Sequence, residues 1–372
     1  MKELQVIAFN VPYPPDYGGV IDVYYKLKAL KEAGIAITLH CFDYGRGEAV
    51  ELEQWCQKVF YYPRSRSLIK QFSSLPFIVK TRDNKLLIEN LSWLTHVPIL
   101  AEGLHCTFPL YYGKCNNDIF YVRTHNIEHA YYKGLKITEN NYFKKIYYSI
   151  ESKKLKQYEP ILKNAKGICS ISQKETEYFS DLNANTILIS PFHPFQKVEI
   201  REGIGDYILV HGDLSVAENI NSAQWLINKV FSQIKYNVII AGKNPHSSIV
   251  SAIKKFEHIR LVANPSFDKM QELIANAQIH IVHSFTPQGM KLKLLNIMYN
   301  GRHCICNNSI VVKTGFENLC EIANNENEML ISINKLIKIP FEKRTIKLRE
   351  EVLSLYSNSV QALNLIEFLK LK

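Results

Sequence analysis

QGMKLKLLNIMYNGRHCICN, residues 288–307, divides into a glycine-containing loop, an amphipathic helix over about 292–300, Gly301 as the helix stop, and a short apolar strand at 304–306. An apolar strand at 279–283 precedes it, so residues 284–290 join a strand's carboxyl end to a helix's amino end. Ligands of α/β proteins bind at such junctions. The helix amino end presents unpaired N–H groups and a partial positive charge, and Lys291 and Lys293 add full charges in the first turn. Lysines there oppose an isolated helix. An anion at this end, most simply a phosphate, removes the conflict.

Strand, turn and helix alternate along the rest of the chain. Residues 4–9 read as a buried strand running into NVPYPPDYGG and a helical pattern over about 20–33. Gly18 and Gly19 either allow a ligand close to the backbone or simply close a proline-rich turn. A G-x-G-x-x-G fingerprint is absent, which argues against a dinucleotide-binding dehydrogenase. Further strands read at 36–42, 58–62, 98–102 and 119–123. The last runs into RTHNIEHAYY (123–132), which puts His125 in a loop after a strand, where side chains line clefts. The competing reading is a polar helix cap through Thr124 or Asn126. His105 is a second, weaker candidate.

Residues 131–167 are helical in pattern and rich in lysine and tyrosine; strands at 167–172 and 186–190 flank a helix at 174–180. SPFHPFQKVEIREGIGD (190–206) carries the prolines and late glycines of a domain boundary. The second half restarts with a strand at 207–211, an HGD turn and a helix over 219–231. A strand at 237–242 with Lys243 in its turn, a helix at 247–256, a strand at 258–262 and a helix at 270–275 follow. The final segment, about 348–372, reads as one long amphipathic helix.

A length of 372 residues, 47% hydrophobic and 22% charged, suits two α/β domains. No apolar run approaches a membrane span, and the amino terminus enters a strand without a signal-peptide core, which predicts a cytoplasmic protein. The 8 cysteines are scattered, and Cys304 and Cys306 alternate on one strand with no second pair at metal spacing, so neither disulfides nor zinc are expected. The net charge of +10 and pI near 9.0 suit nucleic acid, an anionic membrane or anionic small substrates, as well as a merely basic surface. No nucleic-acid motif accompanies the charge. Arg64, Arg66, Lys70, Lys80 and Arg82 interleave with Leu68, Ile69, Phe72 and Phe77. That pattern fits either a surface lying on lipid or helices packed on a sheet.

The pattern G-x-x-x-K-L-L-x-x-M-x-x-G (289–301) followed by a short strand resembles the donor-binding segment of GT-B glycosyltransferases, especially retaining enzymes of glycosyltransferase family 4. The first loop ending in Gly18 and Gly19, and RTHNIEH, resemble the same family. In it, an acidic residue and a second acid beyond the next seven residues open the donor helix; here these places hold Gln288 and Asn296. Amides can still bond sugar hydroxyls but bring no charge. Many members also place an Arg and a Lys after the glycine matching Gly212, where this chain has Asp213, Glu218 and Asn219. Charge neutralisation then falls to Lys291 and Lys293.

The resemblance implies an α/β GT-B fold, two Rossmann-like domains with parallel sheets facing across a cleft. The first would span 1–195 plus a returning C-terminal helix, about 353–372, and the second 205–352. It implies donor binding by Gly18, Gly19, Gly212, Lys243, Val262, Gln288, Gly289, Met290, Lys291, Leu292 and Asn296. His125 would reach the transferred sugar and Lys293 would hold the diphosphate, the two catalytic positions. The co-substrate would be a nucleotide-diphosphate sugar, the acceptor a saccharide or lipid-linked saccharide of cell-surface polysaccharide synthesis. No metal and no further cofactor are expected, nor nucleic acid; an anionic membrane face, with the protein peripheral on its inner side, is a further candidate partner. The expected activity is that of a retaining, metal-independent hexosyltransferase. The alternative is a catalytically silent GT-B module that binds a nucleotide sugar or a partner enzyme. A GT-B epimerase would want extra acids that the chain lacks.

Overall fold

The apolar runs read above become two separate parallel sheets in the computed structural model, which describes residues 2–113, 115–139, 141–285 and 291–371. The first unit comprises Met1–Pro194 and Tyr356–Lys372. Its strands are β1 (Lys2–Ala8), β2 (Ile35–Asp43), β3 (Lys58–Pro63), β4 (Ile99–Glu102), β5 (Phe120–Thr124), β6 (Gly167–Ser170) and β7 (Thr186–Leu188), in the order β3-β2-β1-β4-β5-β6-β7. Helices cover both faces, which is why the central strands are apolar on both sides. Leu4, Val6 and Ala8 pack against Val23, Leu27 and Leu30 of the Gly18–Glu32 helix, and Ile7 packs oppositely with Ile99, Ala101 and Phe120. Strand order reverses between β1 and β4. That leaves a crevice at their carboxyl ends.

The second unit, Phe195–Leu355, holds β8 (Ile208–Asp213), β9 (Val238–Lys243), β10 (Ile259–Ala263), β11 (Ile279–Val282), β12 (His303–Cys306) and β13 (Glu321–Ile322), in the order β10-β9-β8-β11-β12-β13. Ile208, Ile240, Ile281 and Ile305 form one core face; Leu209, Ile239, Ala241 and Ile274 form the other. Here the order reverses between β8 and β11, so the second crevice opens beside Gly212 and Ser284.

The Leu292–Asn300 helix has the bounds its periodicity indicates, burying Leu294, Leu295, Ile297 and Met298. Gly301 follows it with φ −107°, an ordinary backbone for any residue. Glycine is needed for another reason: a Cβ there would lie 2.4 Å from His280 Nε2. The expected single C-terminal helix is two, Lys343–Ser354 in the second unit and Asn358–Phe368 in the first. The chain breaks because Tyr356 and Asn358 bind His193: the His193 ring lies 3.0 Å from the Tyr356 carbonyl, and the Asn358 amide exchanges two hydrogen bonds with the His193 backbone. Likewise the helix expected over 219–231 is α-helical only over Ala217–Trp225 and continues as a π turn, Leu226–Val230.

The basic stretch is split between surface and core. The Leu68–Phe72 turn buries none of its residues, whereas Ile78 and Val79 of the Phe77–Lys80 helix are in the core. Among the described residues no helix is long and apolar enough to cross a membrane.

Candidate functional site

At the first crevice, three elements bring charges together beneath His125. Asp22 and Lys26 lie one turn apart on the Gly18–Glu32 helix, Glu102 ends β4, and Arg123 is in β5. Arg123 grips both oxygens of Asp22 at 2.9 Å, Lys26 lies 2.6 Å from Glu102 and 3.3 Å from Asp22, and the Phe192 N–H donates to Asp22 at 2.7 Å. All four side chains are buried. Burial alone would raise the Asp22 pKa; the Arg123 and Lys26 charges outweigh it and hold the carboxyl well below its usual range. Glu102 is lowered in the same way, burial being outweighed by Lys26 and His125.

His125 Nε2 sits 3.0 Å from Glu102 and 3.5 Å from Asp22. A ring nitrogen facing carboxylates carries the proton, so the neutral tautomer keeps its lone pair on Nδ1. Phe9 holds the ring edge to face at 5.5 Å. Gly18 and Gly19 open the helix and do not belong to the loop before it, and a Cβ on Gly19 would meet Phe9 Cζ at 2.7 Å. The space left by that glycine is filled by the ring that supports His125. His105 packs against Phe9 in a tilted arrangement at 5.5 Å, and burial drives its pKa well down. Glu128, in the same RTHNIEH run, is buried and pushed up to about 8 by desolvation.

At the second crevice Glu218, in the first turn of the Ala217–Trp225 helix, accepts from Lys291 at 3.2 Å and from the Ser284 hydroxyl. Lys293 donates to Asn219 Oδ1 at 3.3 Å, and Asn219 in turn donates to the Asp213 carbonyl at 2.8 Å. Burial and the neighbouring Lys291 push the Lys293 pKa down to about 7, with Glu218 opposing; burial lowers Lys291 too. Two cations are thus crowded at the amino end of the Leu292–Asn300 helix against one carboxylate. Trp225 stacks on His283 at 4.5 Å and Phe285 meets His283 edge on at 4.7 Å, an aromatic wall beside them.

Gly212 ends β8 beside Asn219, and Leu292 opens the lysine-bearing helix. Asn296 lies one turn further in, its Oδ1 accepting from Asn300 at 2.8 Å. Lys243 and Val262 lie at the ends of neighbouring β9 and β10, Lys243 exposed. Gln288, Gly289 and Met290 lie outside the described residues. Sequence reasoning missed Asp22, Lys26, Glu102 and Arg123 as a network; the only one-dimensional signal was charge at positions where a helix and two strands should be apolar. It noted Glu218 only as a departure from the family. Position within the first helical turn could have marked it as the partner of a cation.

Residues 205–338 match the family model described as "Glycosyl transferases group 1". A Klebsiella pneumoniae protein described as "Uncharacterized 44.6 kDa protein in cps region" is 27% identical over 319 residues, 81% of each chain. Sucrose-phosphate synthase from Thermosynechococcus elongatus superposes with a TM-score of 0.73 at 14% identity, covering 100% of this chain and 98% of its own. TarM gives 0.69 at 12% identity over 99% of both chains. A glycosyltransferase from Rickettsia africae ESF-5 gives 0.63 at 15% identity, covering 99% and 98%. The structural likenesses cover 99–100% of the chain, and its fold is GT-B.

Proposed function

We propose that this chain, whose second unit carries a Glycosyl transferases group 1 domain, moves a sugar from a nucleotide-diphosphate donor to a saccharide or lipid-linked saccharide acceptor in surface polysaccharide synthesis. The observation that carries the reading is the pair Lys291 and Lys293 at the amino end of the Leu292–Asn300 helix, two cations facing one carboxylate at a strand-order reversal. A diphosphate completes that charge balance and takes the helix N–H groups as donors. The cps-region relative supports the polysaccharide setting.

In the transfer step the bond from the sugar's anomeric carbon to the diphosphate breaks while one to the acceptor oxygen forms on the same face. Attack on the face that the leaving group departs from gives retention, and the departing phosphate takes the acceptor proton. Charge on the leaving group grows through the step, so Lys293 and the helix dipole act most strongly in the transition state and supply what a metal would otherwise supply. His125, its Nε2 proton held by Glu102, turns Nδ1 toward a hydroxyl of the transferred sugar. Gly18, Lys243 and Val262 are assigned to the donor's surroundings through the family resemblance.

Exposed Phe72 (91%), Ile69 (78%) and Phe143 (80%), set among lysines on the first unit, support docking on the inner face of an anionic membrane. The test of activity is release of nucleoside diphosphate from a panel of nucleotide sugars in the presence of lipid-linked acceptors. Donor binding without any turnover would instead support the silent module, which the amides at Gln288 and Asn296 favour.

A further inference from the structure

β12 and β13 pair in parallel with Ile305 opposite Glu321 and Cys306 opposite Ile322. Cys320, extended at φ −123° and ψ 150°, continues that register one residue back and falls beside Cys304. Paired residues of parallel strands project to one face, and so do alternate residues of one strand. Cys304, Cys306 and Cys320 therefore converge, and their three sulfurs lie within 4.8 Å of one another. Cys304 and Cys306 are buried and Cys320 is half-buried. The spacing rule applied to the sequence saw only Cys304 and Cys306, because the third cysteine arrives through strand pairing.

A second feature points at the same spot. Arg349, buried on the Lys343–Ser354 helix, donates through its two terminal nitrogens to the carbonyls of Ile297, Met298, Gly301 and Arg302, at 2.5 to 3.4 Å. Its Nε has no hydrogen-bond partner among the described residues. Its bonds to Gly301 and Arg302 set this buried cation at the start of β12, the strand that carries two of the thiols, and a positive charge there is better matched once the thiols ionise around a metal.

We propose that Cys304, Cys306 and Cys320 form a thiolate site for a divalent d10 cation of the zinc type, distinct from the donor site and structural in role. Zinc–sulfur bonds of about 2.3 Å in tetrahedral geometry put sulfurs about 3.8 Å apart, so the cluster needs to contract by about 1 Å at most. Three S–H protons leave to solvent as three sulfur–metal bonds form. Three thiolates with one M²⁺ carry a net charge of −1, which the +1 of Arg349 offsets. The fourth position is left to water or an added ligand. Through Arg349 the ion would tie β12 and β13 to the carboxyl end of the helix whose amino end bears Lys291 and Lys293. Harder cations such as magnesium would be refused by an all-sulfur set.

The test uses the full chain, reduced and stripped of metal, titrated with Cd²⁺ alone while thiolate-to-metal charge transfer is read in the near ultraviolet. About one equivalent should bind with that band, Zn²⁺ should displace it, and Mg²⁺ should not. Cys304→Ser and Cys320→Ser should each weaken Zn²⁺ binding by about 100-fold or more, whereas Cys115→Ser, in the other unit, should bind as wild type. Should the serine variants fail to fold, the wild type decides: Zn²⁺ should raise its melting temperature and a chelator should lower it. Folded, reduced wild type without the band, or with a band that survives in Cys320→Ser, overturns the site. So does a Cys304–Cys320 disulfide whose reduction yields no metal affinity.

Discussion

Replacing Glu102 by glutamine removes one charge from a balanced buried set, Asp22 and Glu102 against Lys26 and Arg123. Lys26 then loses its 2.6 Å partner and keeps only Asp22 at 3.3 Å, already gripped by Arg123. Breaking one half of a buried pair costs about 3–5 kcal/mol, because the charge left behind is desolvated and unmatched. The remaining Asp22 contact places this case near about 3 kcal/mol. The double variant Lys26→Met with Glu102→Gln leaves Asp22 and Arg123 neutral as a pair. Most of the loss should return, with a coupling of about 2 kcal/mol. Urea unfolding of wild type, both single variants and the double variant measures it. Single losses that add to the double within about 0.5 kcal/mol would refute the network as a unit. The pH dependence has a defined sign. Asp22 and Glu102 both have folded pKa values below their unfolded ones, so their stabilisation is present above about pH 4 and is lost as pH falls through the folded values. The gap between wild type and Glu102→Gln should therefore narrow in acid.

His125→Ala should lower turnover while leaving nucleoside diphosphate affinity, measured by calorimetry, as in wild type, if the imidazole meets the sugar and not the nucleotide as proposed. Lys293, pushed down to about 7 in the free protein, should gain a proton when a diphosphate binds. Affinity should accordingly fall as pH rises above about 7, with proton uptake visible in buffers of different ionisation enthalpy; a flat profile from pH 7 to 9 would contradict it. If the proposed membrane docking holds, Phe72→Ser with Phe143→Ser should reduce sedimentation with anionic vesicles, and high salt should reduce that of wild type, because apolar insertion and lysine attraction would act together.

The Leu292–Asn300 helix was legible to the residue because its apolar face, lysine start and following glycine all agree. Apart from β13, whose TGFENLCEIANN segment reads as a loop and helix, the strands were legible within a residue or two, since buried parallel strands are continuous apolar runs. What escaped the sequence depends on partners distant in the chain. Arg123 and Asp22 are separated by 101 positions, and a buried arginine in a strand looks no different from an exposed one until its carboxylate is placed. Gly301 was read as a helix stop, although the demand comes from His280 across the sheet. The break at Tyr356 and Asn358 was hidden because the helical period continues through it while the hydrogen bonds to His193 do not. Cys320 joined its partners only through strand register.

The role of Lys293 is tested most directly by steady-state transfer with Lys293→Ala beside a melting curve of the same preparation. A charge-assisted hydrogen bond to a diphosphate is worth roughly 1.5–3 kcal/mol, about ten- to over a hundred-fold in donor affinity. The contact strengthens as the leaving group gains charge, so turnover should fall further, by about a hundred-fold or more, with Lys293→Arg intermediate. The melting temperature should hold or rise, because a crowded cation leaves and alanine favours a helix. Wild-type transfer by a folded Lys293→Ala protein would contradict the assignment of this helix to the diphosphate.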